Sequence, residues 1–464
     1  MCIKIRDLIK ILGTTAALLV TLILFQHYFS LDQYFVDVSS SQFVVTKSRY
    51  EQPQYKAEVV TTGSVSVKTF GAKGDGVTDD SAAFNTALKN LNGRILFVPK
   101  GTYIIKETIL IPSNTAIAGD GETSILKACN GFPVGDDILK IYNQSNISIT
   151  NIAVDGNSAI NNKAAGHSHI DGVHLLDIWN ASNITVEKCH FKDNIYSAIR
   201  LINGNTNSVI RKCTFRNLDC GVIALGAGNV TGLTIDGCAF NGHDNSESIS
   251  LFGTGHYSDI TISNNIMKNK KVGHAIYCAK GTIDNIKILN NQLFDNCYSI
   301  KLDRVNTATI AGNYINNSNS LNTNGGKGIM VTNCSNIEIY SNTVTKTCAQ
   351  AIYILASSNV NVYSNSVVNC GYLSPDFIAV DIRGACSKVS VYSNTLTRTD
   401  NKLSPYSLVS HSSGSVSIYN NILNNCQILL HAESSNVTVS NNTATVKNQG
   451  TGNYVVNGKP SVPF

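Results

Sequence analysis

The chain is short of charge. Aspartate, glutamate, lysine and arginine make up 14% of its 464 residues, against roughly a quarter in an average protein. The net charge is +5, and no Lys/Arg run offers the basic patch that a nucleic-acid partner needs, so that class of function is excluded. The thirteen cysteines include no CxxC pair and no Cys/His spacing of a zinc site, so no metal ligands are assigned. Their number is odd, so at least one is unpaired within the chain. Leucine-rich spacing is missing, and no helix separates the strands described below. Asn, Ser, Thr and Gly take the place of charge. With 43% apolar residues and strict alternation, this composition belongs to a folded chain and not to a disordered one.

What is present is a repeat. A short apolar-alternating strand runs into a turn residue, and a second apolar stretch follows, as in Ile337-Glu338-Ile339-Tyr340-Ser341-Asn342-Thr343-Val344. The turn position is Cys189, Cys213, Cys238, Asn265, Asn291, Asn313, Asn342, Asn365, Asn394, Asn421 and Asn442. The step is about 25 residues, near the low end of solenoid periods. Each repeat holds a further strand in which a small residue precedes an apolar–variable–apolar triplet, as in Ala275-Ile276-Tyr277-Cys278 and Ala351-Ile352-Tyr353-Ile354. Units of this kind cannot bury their apolar faces alone and must stack. The expected fold is all-β: a single-stranded parallel β-helix. The Asn column should form tight left-handed turns and bond its copies on adjacent rungs. Cysteines in the same column are read as small buried stacking residues.

The N-terminus is separate. Lys4, Arg6 and Lys10 precede an apolar run from Ile11 to Phe25 that extends back to Leu8 if Lys10 snorkels. No small-x-small cleavage site follows closely, so residues 1–30 read as an uncleaved signal anchor in preference to a cleaved signal peptide. The expectation is an extracytoplasmic protein held to the membrane by residues 8–25. Residues 31–62 read as a polar stem and 63–464 as the β-helix, with a cap at 63–130 and regular rungs at about 140–447.

The most specific local motif opens that segment. Phe70-Gly71-Ala72-Lys73-Gly74-Asp75-Gly76-Val77-Thr78-Asp79-Asp80 leads into a helix-like stretch, and Val98-Pro99-Lys100-Gly101-Thr102-Tyr103 follows. This resembles the pectate-lyase-like superfamily of right-handed β-helices, over about residues 65–445. The resemblance implies a helix that closes the open end, and a protein built around glycans. Members include lyases, hydrolases, uronan epimerases and phage tailspikes. Many use Ca2+, which the resemblance therefore admits as a cofactor. Asp75, Asp79 and Asp80 lack the remaining ligands of an EF-hand and read as cap structure.

The outward positions of the repeated strand should form a ladder of His174, Arg200, Ile223, Ser250, Tyr277, Lys301, Met330, Tyr353 and Asp381. The next outward column holds Phe252, Asp303 and Arg383. Aromatic rungs could stack on sugars, and cations could meet carboxylates. His174, Arg200, Phe252, Tyr277, Tyr353, Asp381 and Arg383 are thus the candidate substrate contacts. Three clusters compete as the reactive centre. Lys301-Leu302-Asp303-Arg304 could supply the base and carboxylate neutraliser of a β-elimination. His167-Ser168-His169-Ile170-Asp171 with His174, and His243-Asp244-Asn245-Ser246-Glu247 with His256 and His274, could supply carboxylates for hydrolysis. The candidate catalytic residues are Lys301, Asp303, Arg304, Asp244 and Asp171. The polygalacturonase motifs of the family are met only loosely, at Asp171-Gly172. The epimerase motif Tyr-Gly-Phe-Asp-Pro-His keeps only its tyrosine, in Tyr196-Ser197-Ala198-Ile199-Arg200-Leu201. The expected function is cleavage of a uronate-containing polysaccharide by β-elimination or hydrolysis. The alternatives are a non-catalytic glycan-binding or surface-structural protein, and a uronan C5-epimerase.

Overall fold

The computed structural model describes residues 34–37, 44–47, 63–161, 173–226, 228–243, 246–319, 325–372, 378–399 and 405–456. The chain divides into two units, residues 1–54 and 55–464. In the first, Tyr34–Asp37 pairs antiparallel with Val44–Lys47, where the sequence shows no strand period. No helix among the described residues is long and apolar enough to cross a membrane, and the anchor expected at residues 8–25 lies outside them.

The second unit is a parallel β-helix. A typical rung contains the strands Ser335–Tyr340, Thr343–Thr345 and Ile352–Leu355. Each pairs in parallel with its copy one rung on: Ile337 with Val360, Val344 with Val367, Ile352 with Val380. One face stacks sixteen such strands. The other two faces run into one another where His190–Ile202 and Thr214–Leu225 continue around the corner as single long strands. Alternation turns every second side chain inward, so the core consists of columns. Phe191, Phe215 and Phe240 stack at 5.4 and 4.5 Å and are continued by Met267 and Leu293.

The Asn column forms, with one correction. The left-handed residue is the one before it: Asn264, Asn290, Ser341, Ser364, Ser393, Asn420 and Asn441 all have φ near +55°. That backbone twist aims the following Asn into the interior, where Asn265, Asn291, Asn313, Asn342, Asn365, Asn394, Asn421 and Asn442 are all buried. Asn342 Nδ2 donates to Asn365 Oδ1 at 3.0 Å and to the Ile310 carbonyl at 2.8 Å. Its Oδ1 accepts from both the backbone N and Nδ2 of Asn313, each at 2.9 Å. Every buried polar atom of the column is satisfied by its neighbours, which is the condition for burying amides at all. Cys238 begins this column, its N–H donating to Asn265 Oδ1 at 2.9 Å. Cys189 and Cys213 extend it as buried thiols, and all twelve described cysteines are free. Burial pushes the Cys189 and Cys213 thiols well up, so they are poor nucleophiles.

The N-terminal end is closed by the helix Ser81–Lys89, which buries Phe84, Ala87 and Leu88 and sets Phe84 edge-on to Tyr103, centroids 5.4 Å apart. Strand pairing starts inside the segment expected to be cap, since Ser64–Ser66 and Thr115–Gly119 already belong to the long sheet. The acidic motif is structural. Asp80 accepts from the Lys73 and Gly74 amides at 2.6 and 3.0 Å, and Asp79 from the amide and hydroxyl of Ser81. Asp75 accepts from Val77 N, Thr78 N and Thr78 Oγ1, hydrogen bonds that lower its pKa to about 2. Gly74 has φ +63°, and a Cβ there would lie 2.7 Å from the Tyr103 ring. Only glycine fits that turn.

Candidate functional site

Register fixes the outward ladder as Lys140, Asp177, Arg200, Ile223, Ser250, Tyr277, Lys301, Met330, Tyr353 and Asp381. His174 is therefore not part of it. The strand is Leu176–Trp179, and His174 lies before it, fully buried. The triplet around His174 stands three residues before the true ladder position, Asp177. Asp171 and Asp244 lie outside the described residues. The ladder is also not uniformly open. Arg200, Ile223, Ser250 and Asp381 are buried, whereas Tyr277, Lys301, Met330 and Tyr353 are half-exposed. Ile223 is covered by a small outer cluster with Cys220, Leu225 and Phe252.

The charged groups at the two ends are committed to each other. At one end Arg200 Nε donates to Asp177 Oδ1 at 2.8 Å, and Lys140 Nζ lies 3.0 Å from Asp137 and 3.5 Å from Asp177. Burial, together with the nearby Asp177, pushes the Asp137 pKa up to about 7. Neither Asp137 nor Asp177 figures among the candidates above, because only the rung register brings them together. A folded-state pKa above the unfolded value of about 3.9 means that the stability contribution is full below pH 4 and is lost as pH rises through 7. Asp137→Asn is expected to gain stability relative to wild type between pH 4 and 8, by about 1–3 kcal/mol. Denaturant midpoints measured across that range check it; a pH-independent difference contradicts it. At the other end Arg383 Nε donates to Asp381 Oδ2 at 2.8 Å, and Gln350 Nε2 donates to the same oxygen at 3.0 Å.

The half-exposed middle joins two of the three expected clusters. Glu247 stands one rung before His274, and His274 Nδ1 lies 3.5 Å from Glu247 Oε1. Ser246 Oγ donates to the other carboxylate oxygen at 2.8 Å. The His274 ring stacks between Tyr277, at 4.9 Å, and Tyr298, at 4.8 Å. Lys301 Nζ is 5.2 Å from the Tyr277 ring centroid, and Phe252 packs against that ring at 5.9 Å. Gly273 (φ +76°) lets the chain pass close to Glu247: a Cβ would approach Ser246 and Glu247 to 3.3–3.4 Å. His256 does not take part. It lies on the sixteen-stranded face, 3.9 Å from Asp284.

The electrostatics favour a negative Glu247 and a neutral His274. Burial raises the Glu247 pKa, but hydrogen bonds from His274 and Ser246 outweigh it, and the net shift is downward. Burial lowers the His274 pKa, and the upward pull of Glu247 does not cancel it. Lys270, buried nearby, is likewise lowered by burial, against the upward pull of Glu247 and Asp219. Glu247 can orient the neutral imidazole through Nδ1, leaving Nε2 as a base. Lys301 supplies a positive charge on the next rung.

The remaining candidates have narrower roles. Asp303 accepts from Arg304, Thr332 and Asn333. Arg304 is itself a left-handed turn residue (φ 60°) with an exposed side chain, so this pair pins a turn. Tyr353 carries Lys327 at 5.6 Å from its centroid. A second aromatic ladder, Tyr340, Tyr363, Tyr392 and Tyr419, stacks at 4.9–5.0 Å on the sixteen-stranded face. Its ring faces are occupied by each other, so it offers edges and not sugar platforms. Sequence reasoning also missed His411, His431 and Glu433, which come together near the end of the solenoid. The last rungs are shorter than the mean repeat, and a fixed period does not align the two histidines.

A parallel β-helix carrying a mixed acid–base and aromatic face is a scaffold suited to extended ligands. The family described as rhamnogalacturonase A/epimerase, pectate lyase-like, matches residues 64–275, and the right-handed β-helix region family matches residues 302–464. Both matches, with the parallel β-helix, fit the pectate-lyase-like superfamily. It is 36% identical over 139 residues to the pre-neck appendage protein of Bacillus phage phi29, a match spanning 28% of this chain and 14% of that protein. It is 26% identical over 165 residues to the capsule K30/K69-specific depolymerase 1 of Klebsiella phage K5-2, spanning 33% of this chain and 20% of that one. These matches thus cover a fifth or less of each relative's length. In structure it is similar to the A-module of a mannuronan C-5 epimerase from Azotobacter vinelandii, with TM-score 0.57 and 18% identity, covering 85% of this chain and all of that one.

Proposed function

We propose that this chain is an extracytoplasmic enzyme acting on a uronate-containing polysaccharide, with Glu247, His274, Tyr277 and Lys301 as its reactive centre. The observation that carries the reading is the oriented, neutral His274 between Glu247 and the Lys301 rung, on the half-exposed stretch of the outward face. The basic-then-apolar N-terminus and the glycan-active names among the relatives support it.

In the proposed reaction Lys301 pairs with the substrate carboxylate and makes the adjacent C5 proton more acidic. His274 Nε2 takes that proton, and Glu247 stabilises the imidazolium formed. The electron pair left on C5 forms the C4=C5 double bond and expels the glycosidic oxygen, which takes its proton from solvent water, and His274 then returns the C5 proton to solvent. Phe252 and Tyr277 provide apolar surface beside the sugar.

The test is to incubate the full chain with a panel of uronate-containing and neutral polysaccharides, following unsaturated-uronate absorbance and new reducing ends together. Both should rise on a uronate polymer. Reducing ends alone would mean hydrolysis and shift attention to the carboxylates. Deuterium uptake from solvent at C5 without either signal would mean epimerisation. A second reading, glycan binding without turnover, draws on the self-pairing of Arg200, Arg304 and Arg383, which leaves fewer cations for substrate; saturable binding with no product would establish it.

The pH profile is a further check. A base must be deprotonated, and burial holds the His274 pKa below its ordinary 6.5. The acid limb of kcat/KM is therefore expected to have its midpoint below pH 6.5. A midpoint above 6.5 would remove His274 from the role of base.

A further inference from the structure

Near the C-terminal end of the solenoid lies a cluster that the glycan reading does not use. Tyr406–Ser412 pairs in parallel with Gln427–Leu430, with Ser410 opposite Leu430. The next residue on each, His411 and His431, therefore meet, ring centroids 4.3 Å apart. Glu433 follows two residues later, exposed on a turn. One nitrogen from each imidazole and one Glu433 carboxylate oxygen lie within 4.8 Å of one another. A second observation points into the same place. Asp381 is fully buried, and its Oδ1 has no hydrogen-bond partner, yet it lies 3.9 Å from His411 Nε2. His431 Nδ1 is also buried without a partner. Buried polar atoms of this kind are destabilising unless something satisfies them.

We infer that His411, His431 and Glu433 bind a divalent transition-metal ion, Zn2+ by preference, and that Asp381 is the outer carboxylate holding His411. Two imidazoles and one carboxylate form a nitrogen–oxygen donor set that suits Zn2+, with a fourth position left for water. Ca2+ takes about six to eight oxygens, and this cluster offers a single carboxylate at its rim. Zinc bonds of about 2.0–2.2 Å bring ligand atoms to roughly 3.4 Å from one another, so the triangle contracts on binding, and the exposed Glu433 side chain supplies most of that movement. A ligating histidine characteristically donates its other ring N–H to a carboxylate, which is the position Asp381 occupies behind His411. The ion would tie the strand of His411 to the turn after the next rung and stabilise that end of the solenoid through mass action.

The test uses the full chain, stripped with a chelator and titrated with ZnCl2 alone by calorimetry, with Co2+ absorption in the visible as a report on ligand geometry. The expected result is about one Zn2+ per chain that depends on these residues, together with a higher Tm in Zn2+. The double variant His411→Ala/His431→Ala should lose that equivalent. Glu433→Gln, at an exposed position, should fold normally and bind at least 10-fold more weakly, and Asp381→Asn about 10–100-fold more weakly. No Zn2+ uptake by wild type, or equal uptake by the double variant, overturns the inference. If the double variant does not fold, unchanged affinity in both Glu433→Gln and Asp381→Asn overturns it.

Discussion

His274→Ala is expected to lower kcat on a uronate polysaccharide by about 10²–10⁴-fold, the usual contribution of a positioned base, with KM changed far less. The side chain is held by Glu247 on one edge and by the rings of Tyr277 and Tyr298 on its faces. Substrate binding should survive, because the glycan would rest on several rungs and only one loses a group. Glu247→Gln tests orientation separately: it removes the charge that stabilises the imidazolium, so kcat should fall, with the acid limb moving to lower pH as the upward pull on the His274 pKa disappears. Lys301→Ala should act mainly through the substrate carboxylate. Its effect should be large on uronate polymers and small on neutral ones. Full activity in both His274→Ala and Lys301→Ala would place the chemistry elsewhere on the helix.

The second large effect concerns the scaffold. Asn342→Ala should destabilise the solenoid by about 3 kcal/mol or more, since several buried groups lose partners worth about 1–3 kcal/mol each. Asn313 N loses its side-chain acceptor outright, and the Ile310 carbonyl loses the amide it accepts from. Asn313 Nδ2 is left with the Ile288 and Ala311 carbonyls, and Asn365 Oδ1 with the backbone N–H of position 342. By contrast Asn424→Ala, at an exposed residue whose amide donates to Thr397 Oγ1 at 3.1 Å, should stay within about 0.5 kcal/mol. Chemical denaturation of the two variants checks both. Because stability in a stacked array is largely a sum over neighbouring interfaces, the Asn342 variant should also unfold less cooperatively, with its defect centred on the adjoining rungs. Comparable midpoints for the two variants would show that the buried column is not a source of stability.

The contrast between these two predictions also describes what could be learned from residues in order. The Asn column, the cysteines at its head and the apolar triplets were legible because each obeys a local rule: alternation decides which side chains turn inward, and a short amide tolerates a buried turn only when its copy stands one rung away. The cap was legible for the same reason, since Asp75, Asp79 and Asp80 bond amides within a few residues of themselves. Even there, the left-handed conformation proved to belong to the preceding residue, because the Asn must point inward to reach its neighbours.

The site depended on register, and register is not local. His174 looked like a ladder residue by its triplet, yet pairing of Leu176 with Ile199 puts Asp177 beside Arg200 and leaves His174 buried. Glu247 and His274 stood in one sequence cluster and Lys301 in another, and they became one centre only when successive rungs stacked. Asp381 and Arg200, chosen as outward charges, are buried in pairs with Arg383 and Asp177. Sequence alone determined that this chain is a stacked β-helix with an acidic, glycine-bearing cap, because those features follow from periodicity and short-range hydrogen bonding. Tertiary structure decided which outward positions are open, which charges neutralise one another and which histidines meet, because rungs of unequal length set those distances and no single period predicts them.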